Sequence, residues 1–454
     1  MNLKKNDIYE LEITGVTSEG NGVGKIDNFA IFIPETTVGD TVKIRIVKVL
    51  KSYAFGRVEE ILKPSSTRIV VDCDCYKQCG GCTYRHISYE AELAIKQDYV
   101  ENVFKRLGGV TTPCNLIIGS QRENEYRNKA QYPVGIDKDG LIVSGFYAKR
   151  SHRIIQSESC CLQSDEFSKI QSTILEFLNH YKISIYDETL NKGLVRHIYI
   201  RKAEATNEIM ACLVATKPII PNLNQLIEML VQSNPNIVSI IVNVNSKATN
   251  VILGNQCIMV YGKDEITDVI CGVKINISPL SFYQVNKLQA ERLYQTAIEY
   301  AKLTENDILI DLYCGTGTIG LIASKHVKQV IGVEIIPQAI DNAKANAKLN
   351  HIENTRFMCA DAKVAAKQLA QEGTKPNVII VDPPRKGLDV EVIEAIAEMQ
   401  PDRLVMVSCN PSTAARDVSL LEEKGYQTNM IQPVDMFPRT SHVECVVLME
   451  RVER

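Results

Sequence analysis

From residue 286 onward the chain alternates short apolar runs with helical ones, and this constrains the fold more than any other feature. NKLQAERLYQTAIEYAKL places apolar residues at 290, 293, 294, 297, 298 and 301, one face of a helix. DILIDLYC, KQVIGVEI, NTRFMCAD, NVIIVDPP and RLVMVSCN follow as strand-like runs, and HVECVVLME closes the series after a proline-containing loop. Strands alternating with helices are the pattern of a parallel sheet covered on both faces. Residues 276–454 therefore read as a doubly wound, Rossmann-like domain. Such sheets hold their ligands outside the carboxyl ends of the strands, so the strand tips are where chemistry is sought.

The chain has 454 residues, long for one domain, and two regions precede the alternating one. Residues 1–62 read as a small OB-like β-barrel of five short strands: Gly20, Gly22 and Gly24 mark a turn, and FAIFIPETTVGDTVKIRIVKVL alternates apolar and polar residues. KPSS at 63–66 is the linker. Residues 67–275 read as a central α+β domain. It opens on a cysteine cluster and a helical run over 89–107, closed by Gly108 and Gly109, which is expected to pack on the C-terminal domain. The net charge of −3 does not mark a nucleic-acid binder, but local charge matters more than the sum. Residues 41–57 carry Lys43, Arg45, Lys48, Lys51 and Arg57 around Tyr53 and Phe55, and AKRSHR at 148–153 is a second basic cluster. No apolar run is long enough to span a bilayer, and the start lacks the apolar core of an export signal, so a cytoplasmic protein without a membrane partner is expected. Fourteen cysteines in an unexported chain point to reduced thiols, metal ligands or catalysis rather than disulfides.

Four tips carry chemistry. DLYCGTGTIG at 311–320 ends a strand and opens a helix, and Gly315 and Gly317 let backbone pass close to a ligand. About twenty residues on, VIGVE ends in Glu334, a carboxylate able to accept both ribose hydroxyls of a nucleoside. With Asp311 ending the first strand, this resembles the class I S-adenosylmethionine-dependent methyltransferases; a nicotinamide dehydrogenase would carry a stricter glycine pattern. VDPPRKG places Asp382 before two prolines, a rigid tip. RLVMVSCNP places Cys409 at the next tip. A buried cysteine is often only a small hydrophobe, and a thiol is idle in nitrogen methylation. It is useful in methylating C5 of a pyrimidine, where adding a thiolate to C6 makes C5 nucleophilic and a base must then remove the C5 proton. CDCYKQCGGC gives Cys73, Cys79 and Cys82 with Cys75 extra, and Cys160 or Cys161 is a distant fourth thiol; zinc and iron–sulfur both suit such a set.

SCNPSTAARD, DPPRKG, DLYCGTGTIG, SFYQVN and HVEC together resemble the RNA uracil-5-methyltransferases, over essentially the whole chain and in the family's order. The N-terminal unit is similar to the RNA-binding module called TRAM. The resemblance implies Cys409 as nucleophile and Glu444 as the proton-abstracting base. Gln284, Tyr313, Gly315 and Glu334 fall at cofactor positions, and Asp382 at the junction of cofactor and target base. Asp382 can accept from uracil N3–H, a donor that neutral cytosine lacks. The family's ribosomal members carry a [4Fe–4S] cluster on a matching cysteine pattern, which implies Cys73, Cys79, Cys82 and Cys160 as ligands. The implied activity is methylation of uracil C5 in 23S ribosomal RNA through a Cys–C6 adduct, on a flipped or unpaired uridine. Ribosomal RNA is implied because the family's transfer-RNA members lack both barrel and cluster. Two rivals are a cytosine-5 methyltransferase, which would place its cysteine after a proline at the DPPR tip, and an iron–sulfur RNA-binding sensor without catalysis. Cys212, Cys257 and Cys271 read as core; His197 and His442 are expected to satisfy local hydrogen bonds; Arg439 is a candidate phosphate contact on the surface.

Overall fold

The strand-like runs of the C-terminal half form one seven-stranded sheet in the computed structural model, which describes residues 3–452. In chain order the strands are β1 (Ile308–Leu312), β2 (Gln329–Glu334), β3 (Thr355–Cys359), β4 (Val378–Val381), β5 (Arg403–Ser408), β6 (Tyr426–Val434) and β7 (Glu444–Arg451). Their spatial order is 3-2-1-4-5-7-6. β1 to β5 run parallel, and β7 is inserted antiparallel between β5 and β6. Side chains alternate between the two faces. Leu309, Val405 and Val407 pack with Leu293 and Ala297 of the helix Lys287–Ala301; Ile310, Leu404 and Met406 pack in the core on the other side. Burying each such side chain contributes about 1.5–3 kcal/mol. The chain winds from β1 outward to β3 and then returns to lay β4 on the other side of β1. That reversal opens a crevice at the β1–β4 tips, the usual ligand position.

The helix Tyr89–Arg106 joins this domain, as its sequence pattern suggested: Val100, Val103 and Phe104 share a core with Leu312, Val381 and Met406. It also buries charge. Lys96 donates to Glu92 and to Asp435, each at 2.7 Å, and Tyr89 donates to the other Asp435 oxygen at 2.6 Å. Glu92 in turn accepts the Arg439 amide at 2.8 Å. A buried pair is costly to break because the remaining charge is left unpaired, so this network pins the loop between β6 and β7 to the helix.

The central region holds a second seven-stranded sheet, with the helices Asp165–His180 and Leu223–Ser233 packed on it. The division expected at 275/276 falls inside the strand Val273–Ile277, whose hairpin with Ile266–Ile270 packs on Leu293 and Ala297 in the C-terminal core. At the N-terminus six strands, not five, form one sheet around Ile13, Ile31, Ile33, Val42 and Ile44. The sixth, Gly15–Val16, has two residues, too few for alternation to reveal. Glu59 crosses to the basic face, meeting Arg45 at 2.9 Å and Arg57 at 2.8 Å, so part of that charge is neutralised. No helix among the described residues is long and apolar enough to cross a membrane.

Candidate active site

The turn after β1 is built on left-handed backbone. Tyr313, Gly315 and Gly317 have φ of 67°, 54° and 81°. Glycine adopts this freely, whereas Tyr313 is an uncommon case of the kind found at functional sites. The Cys314 amide, bonded to Val333 O at 3.0 Å, holds the turn against β2. A Cβ placed on Gly315 would meet nothing within 4 Å, so the crevice is open on that side. Glu334 lies at the β2 tip and accepts the Gly315 amide at 3.2 Å and the Ile336 amide at 2.9 Å. Each carboxylate oxygen has a second lone pair, and the two are free for a vicinal diol. Asp311 accepts the Gly320 amide at 2.9 Å with one oxygen; its other oxygen is buried without a partner. Buried polar atoms are nearly always paired, so this orphan fits a polar ligand in the crevice. Burial also raises the Asp311 carboxyl to about 7.

Across the crevice stands Gln284, buried, with its carbonyl accepting from Asn128 Nδ2 at 2.9 Å. Beside it is Tyr294, only 5% exposed, whose hydroxyl faces Asp382, Glu444, Gln284 and Asp311. The sequence pattern counts Tyr294 merely as part of a helix's apolar face. Its one signal is a hydroxyl on a core-facing position, which requires a polar neighbour.

β5 and β7 pair antiparallel up to Ser408 opposite Cys445, so Cys409 and Glu444, the next residue at this end of each strand, come close enough for the Glu444 carboxylate to act on the Cys409 thiol. Asp382 follows β4, its amide bonded to Leu312 O at 3.3 Å. Cys409 precedes the helix Pro411–Glu423, whose N-cap Asn410 accepts the Ser412 amide at 3.1 Å and donates to Arg385 O at 3.0 Å. The DPPR and SCNP tips are thereby tied together. Burial, then the Glu444 and Asp382 carboxylates, push the Cys409 thiol up, while Arg385 pulls it down. The positive end of the following helix also favours a thiolate. Burial raises Asp382 to about 7; burial and the Asp382 charge raise Glu444 to about 8. A carboxyl titrating near neutrality is suited to exchanging protons. Arg439 is not a surface phosphate contact: it is buried, and its guanidinium bonds Ile87 O at 2.9 Å and Glu123. His442 is exposed. His197 is buried, and its Nδ1 lacks the hydrogen bond expected of it.

The cysteines of the central region line one cavity of about 120 Å³: Cys73, Cys75, Cys79, Cys82, Cys160 and Cys161. A single water needs about 10–15 Å³ on this measure, so there is room for a larger group. No three His, Cys, Asp or Glu side chains among the described residues are grouped as they would be around a single metal ion. Burial pushes the Cys79 and Cys82 thiols up, while the Gly81 amide, which donates to Cys79 Sγ at 3.3 Å, and Arg85 beside Cys82 oppose it.

The sheet order, the glycine turn, the acid at the β2 tip and the orphaned Asp311 oxygen define a class I S-adenosylmethionine-dependent methyltransferase. Within that class the chain belongs to the tRNA (uracil-5-)-methyltransferase family, whose family model matches residues 88–452, and it begins with a TRAM domain over residues 3–58. It is 44% identical to an uncharacterized RNA methyltransferase of Clostridium tetani, over 98% of this chain and 97% of that one. A Halalkalibacterium halodurans protein of the same description is 43% identical over 99% and 98%. Among solved structures it is similar to the Pyrococcus abyssi tRNA (uracil-54, C5)-methyltransferase in complex with S-adenosyl-L-homocysteine, with a TM-score of 0.79 and 26% identity over 97% of this chain and 100% of that one. The latter is named for transfer RNA and matches nearly the full length here. Likeness over nearly the full length therefore does not distinguish a ribosomal RNA target from a transfer RNA target.

Glu334→Ala should weaken S-adenosylmethionine binding by about 1.5–3 kcal/mol, through loss of charge-assisted hydrogen bonds. Calorimetry on the apo protein measures this, and unchanged affinity would place the ribose elsewhere.

Proposed function

We propose that this RNA uracil-5-methyltransferase acts in the cytoplasm on an unpaired or flipped uridine of 23S ribosomal RNA, through a bond between Cys409 and C6. The observation that carries the reading is the antiparallel β5–β7 pairing, whose end at Ser408 and Cys445 brings the Cys409 thiol beside the Glu444 carboxyl. S-adenosylmethionine, when bound, supplies an electrophilic methyl group. The Cys409 thiolate adds to C6, and the electron pair of the C5=C6 bond moves toward C5 and the C4 carbonyl. Asp382 orients the ring by accepting N3–H. C5, now nucleophilic, takes the methyl group. Glu444 then removes the C5 proton, the C5=C6 double bond re-forms, and Cys409 leaves. Gln284, Tyr313, Gly315 and Glu334 hold the cofactor.

Cys73, Cys79, Cys82 and Cys160 are the proposed [4Fe–4S] ligands. Cys160 Sγ faces Cys82 and Cys79, whereas Cys161 lies by Arg85, Asp72 and Cys73 and donates to the Asp72 carbonyl at 3.5 Å. Four thiolates leave no open iron position, so the cluster's part is to fix the loop that meets the RNA. Anaerobically purified protein should be brown and contain stoichiometric iron and sulfide; colourless protein carrying only zinc would remove the cluster.

Transfer RNA is the second reading, favoured by the likeness to the Pyrococcus enzyme. Incubating the enzyme with unmodified transcripts of 23S ribosomal RNA and of transfer RNA separates the two. Mass-spectrometric mapping should find 5-methyluridine in the ribosomal transcript; methylation confined to transfer RNA would overturn the target.

A further inference from the structure

On one side of the molecule a groove runs from the cysteine loop to a pocket in the central domain. The groove, about 940 Å³, is lined by Phe55 of the TRAM domain, Thr83 of the cysteine loop, and Tyr147, Lys149, Arg150 and His152 of the central domain. Thr83, at one end, is tied through its amide to Arg439 O at 2.7 Å, in the loop that leads to Glu444. The other end meets a pocket of about 340 Å³ in the central sheet, with Tyr147 and His152 common to both.

That pocket is built like a base site. A bulge between Val195 and His197 lets the neighbouring Arg196 and His197 both face it. Both are more than nine-tenths buried, and Arg196 Nε and His197 Nδ1 have no partner. The Arg196 guanidinium is otherwise fixed by the carbonyls of Asn245, Lys247 and Thr249 at 3.0, 2.7 and 3.0 Å, and lies 4.4 Å from the Tyr186 ring centroid. Tyr147 and His152, which also line the pocket, stack with centroids 5.0 Å apart, and His152 Nδ1 meets Glu188 at 2.7 Å. A pocket lined by aromatic rings and by buried side chains that carry unsatisfied polar atoms suits an unpaired nucleobase. Exposed Lys149 and Arg150 at the mouth suit the phosphates that lead to it.

We propose that this pocket holds a second unpaired base of the substrate RNA, distant from the target uridine, with the connecting strand lying in the groove. The proposal rests on RNA being the substrate. The test uses the full chain and unmodified transcripts of 23S ribosomal RNA and transfer RNA, taking whichever the wild type methylates. Tyr186→Ala and His152→Ala should each raise KM for that RNA at least about fivefold, with kcat and S-adenosylmethionine affinity nearly unchanged. A base contact carries no phosphate charge, so the salt dependence of KM should stay that of wild type, whereas Arg150→Ala should flatten it. Unchanged KM in both variants, or a flattened salt dependence in Tyr186→Ala, overturns the pocket while leaving the enzyme's function standing. If the wild type methylates neither transcript, the substrate reading fails and the pocket reading with it.

Discussion

Glu444→Gln should strand methylated RNA on the protein. Glutamine keeps the size and hydrogen-bonding shape of the side chain but cannot take the C5 proton, so addition and methyl transfer proceed and elimination does not. The expected product is a slow-migrating, denaturant-resistant protein–RNA band that carries label from the methyl group, with free 5-methyluridine nearly absent. In the wild type the release step should quicken as pH rises toward about 8, because burial and Asp382 keep Glu444 protonated below that value and only the ionised form is a base. The double variant Cys409→Ala, Glu444→Gln should show no band. Normal turnover by Glu444→Gln, or lost turnover without trapped label, would move the base elsewhere.

Cys409→Ala should abolish methyl transfer, since Cys409 is the cysteine that stands beside both Asp382 and Glu444. The fold and cofactor affinity should remain, because the thiol is half-buried and contributes little packing, and the cofactor crevice is formed by β1 and β2. Residual methylation on RNA at wild-type rates would return Cys409 to the role of a small core residue.

What was legible in the sequence is what is written locally. A strand, its tip and the start of the next helix are contiguous in the chain, so DLYCGTGTIG, VDPPRKG and RLVMVSCNP announce both the doubly wound sheet and its reactive edge. The Cys409–Glu444 pairing needs one further fact, the antiparallel insertion of β7, which strand patterning does not show. Contacts between distant segments were not legible. Lys96 meets Asp435 only after the helix Tyr89–Arg106 docks on the C-terminal core, and the same docking turns Arg439 from a surface cation into a buried strut. Tyr294 reads as one more apolar position until the β4 and β7 tips close around its hydroxyl. His197 and Arg196 share a wall because of a bulge, and one extra residue in a ladder leaves no mark in an apolar run.

The covalent bond between Cys409 and C6 of uracil is the step on which the rest of the reaction depends. The most direct measurement incubates wild-type enzyme and S-adenosylmethionine with substrate RNA carrying 5-fluorouridine, digests the complex, and sequences the cross-linked peptide by mass spectrometry. Fluorine at C5 cannot leave as a proton does, so the account predicts a stable adduct on Cys409 whose mass includes the nucleotide and one added methyl group. An adduct on another cysteine, or none from an enzyme that fully methylates the ordinary RNA, would contradict it.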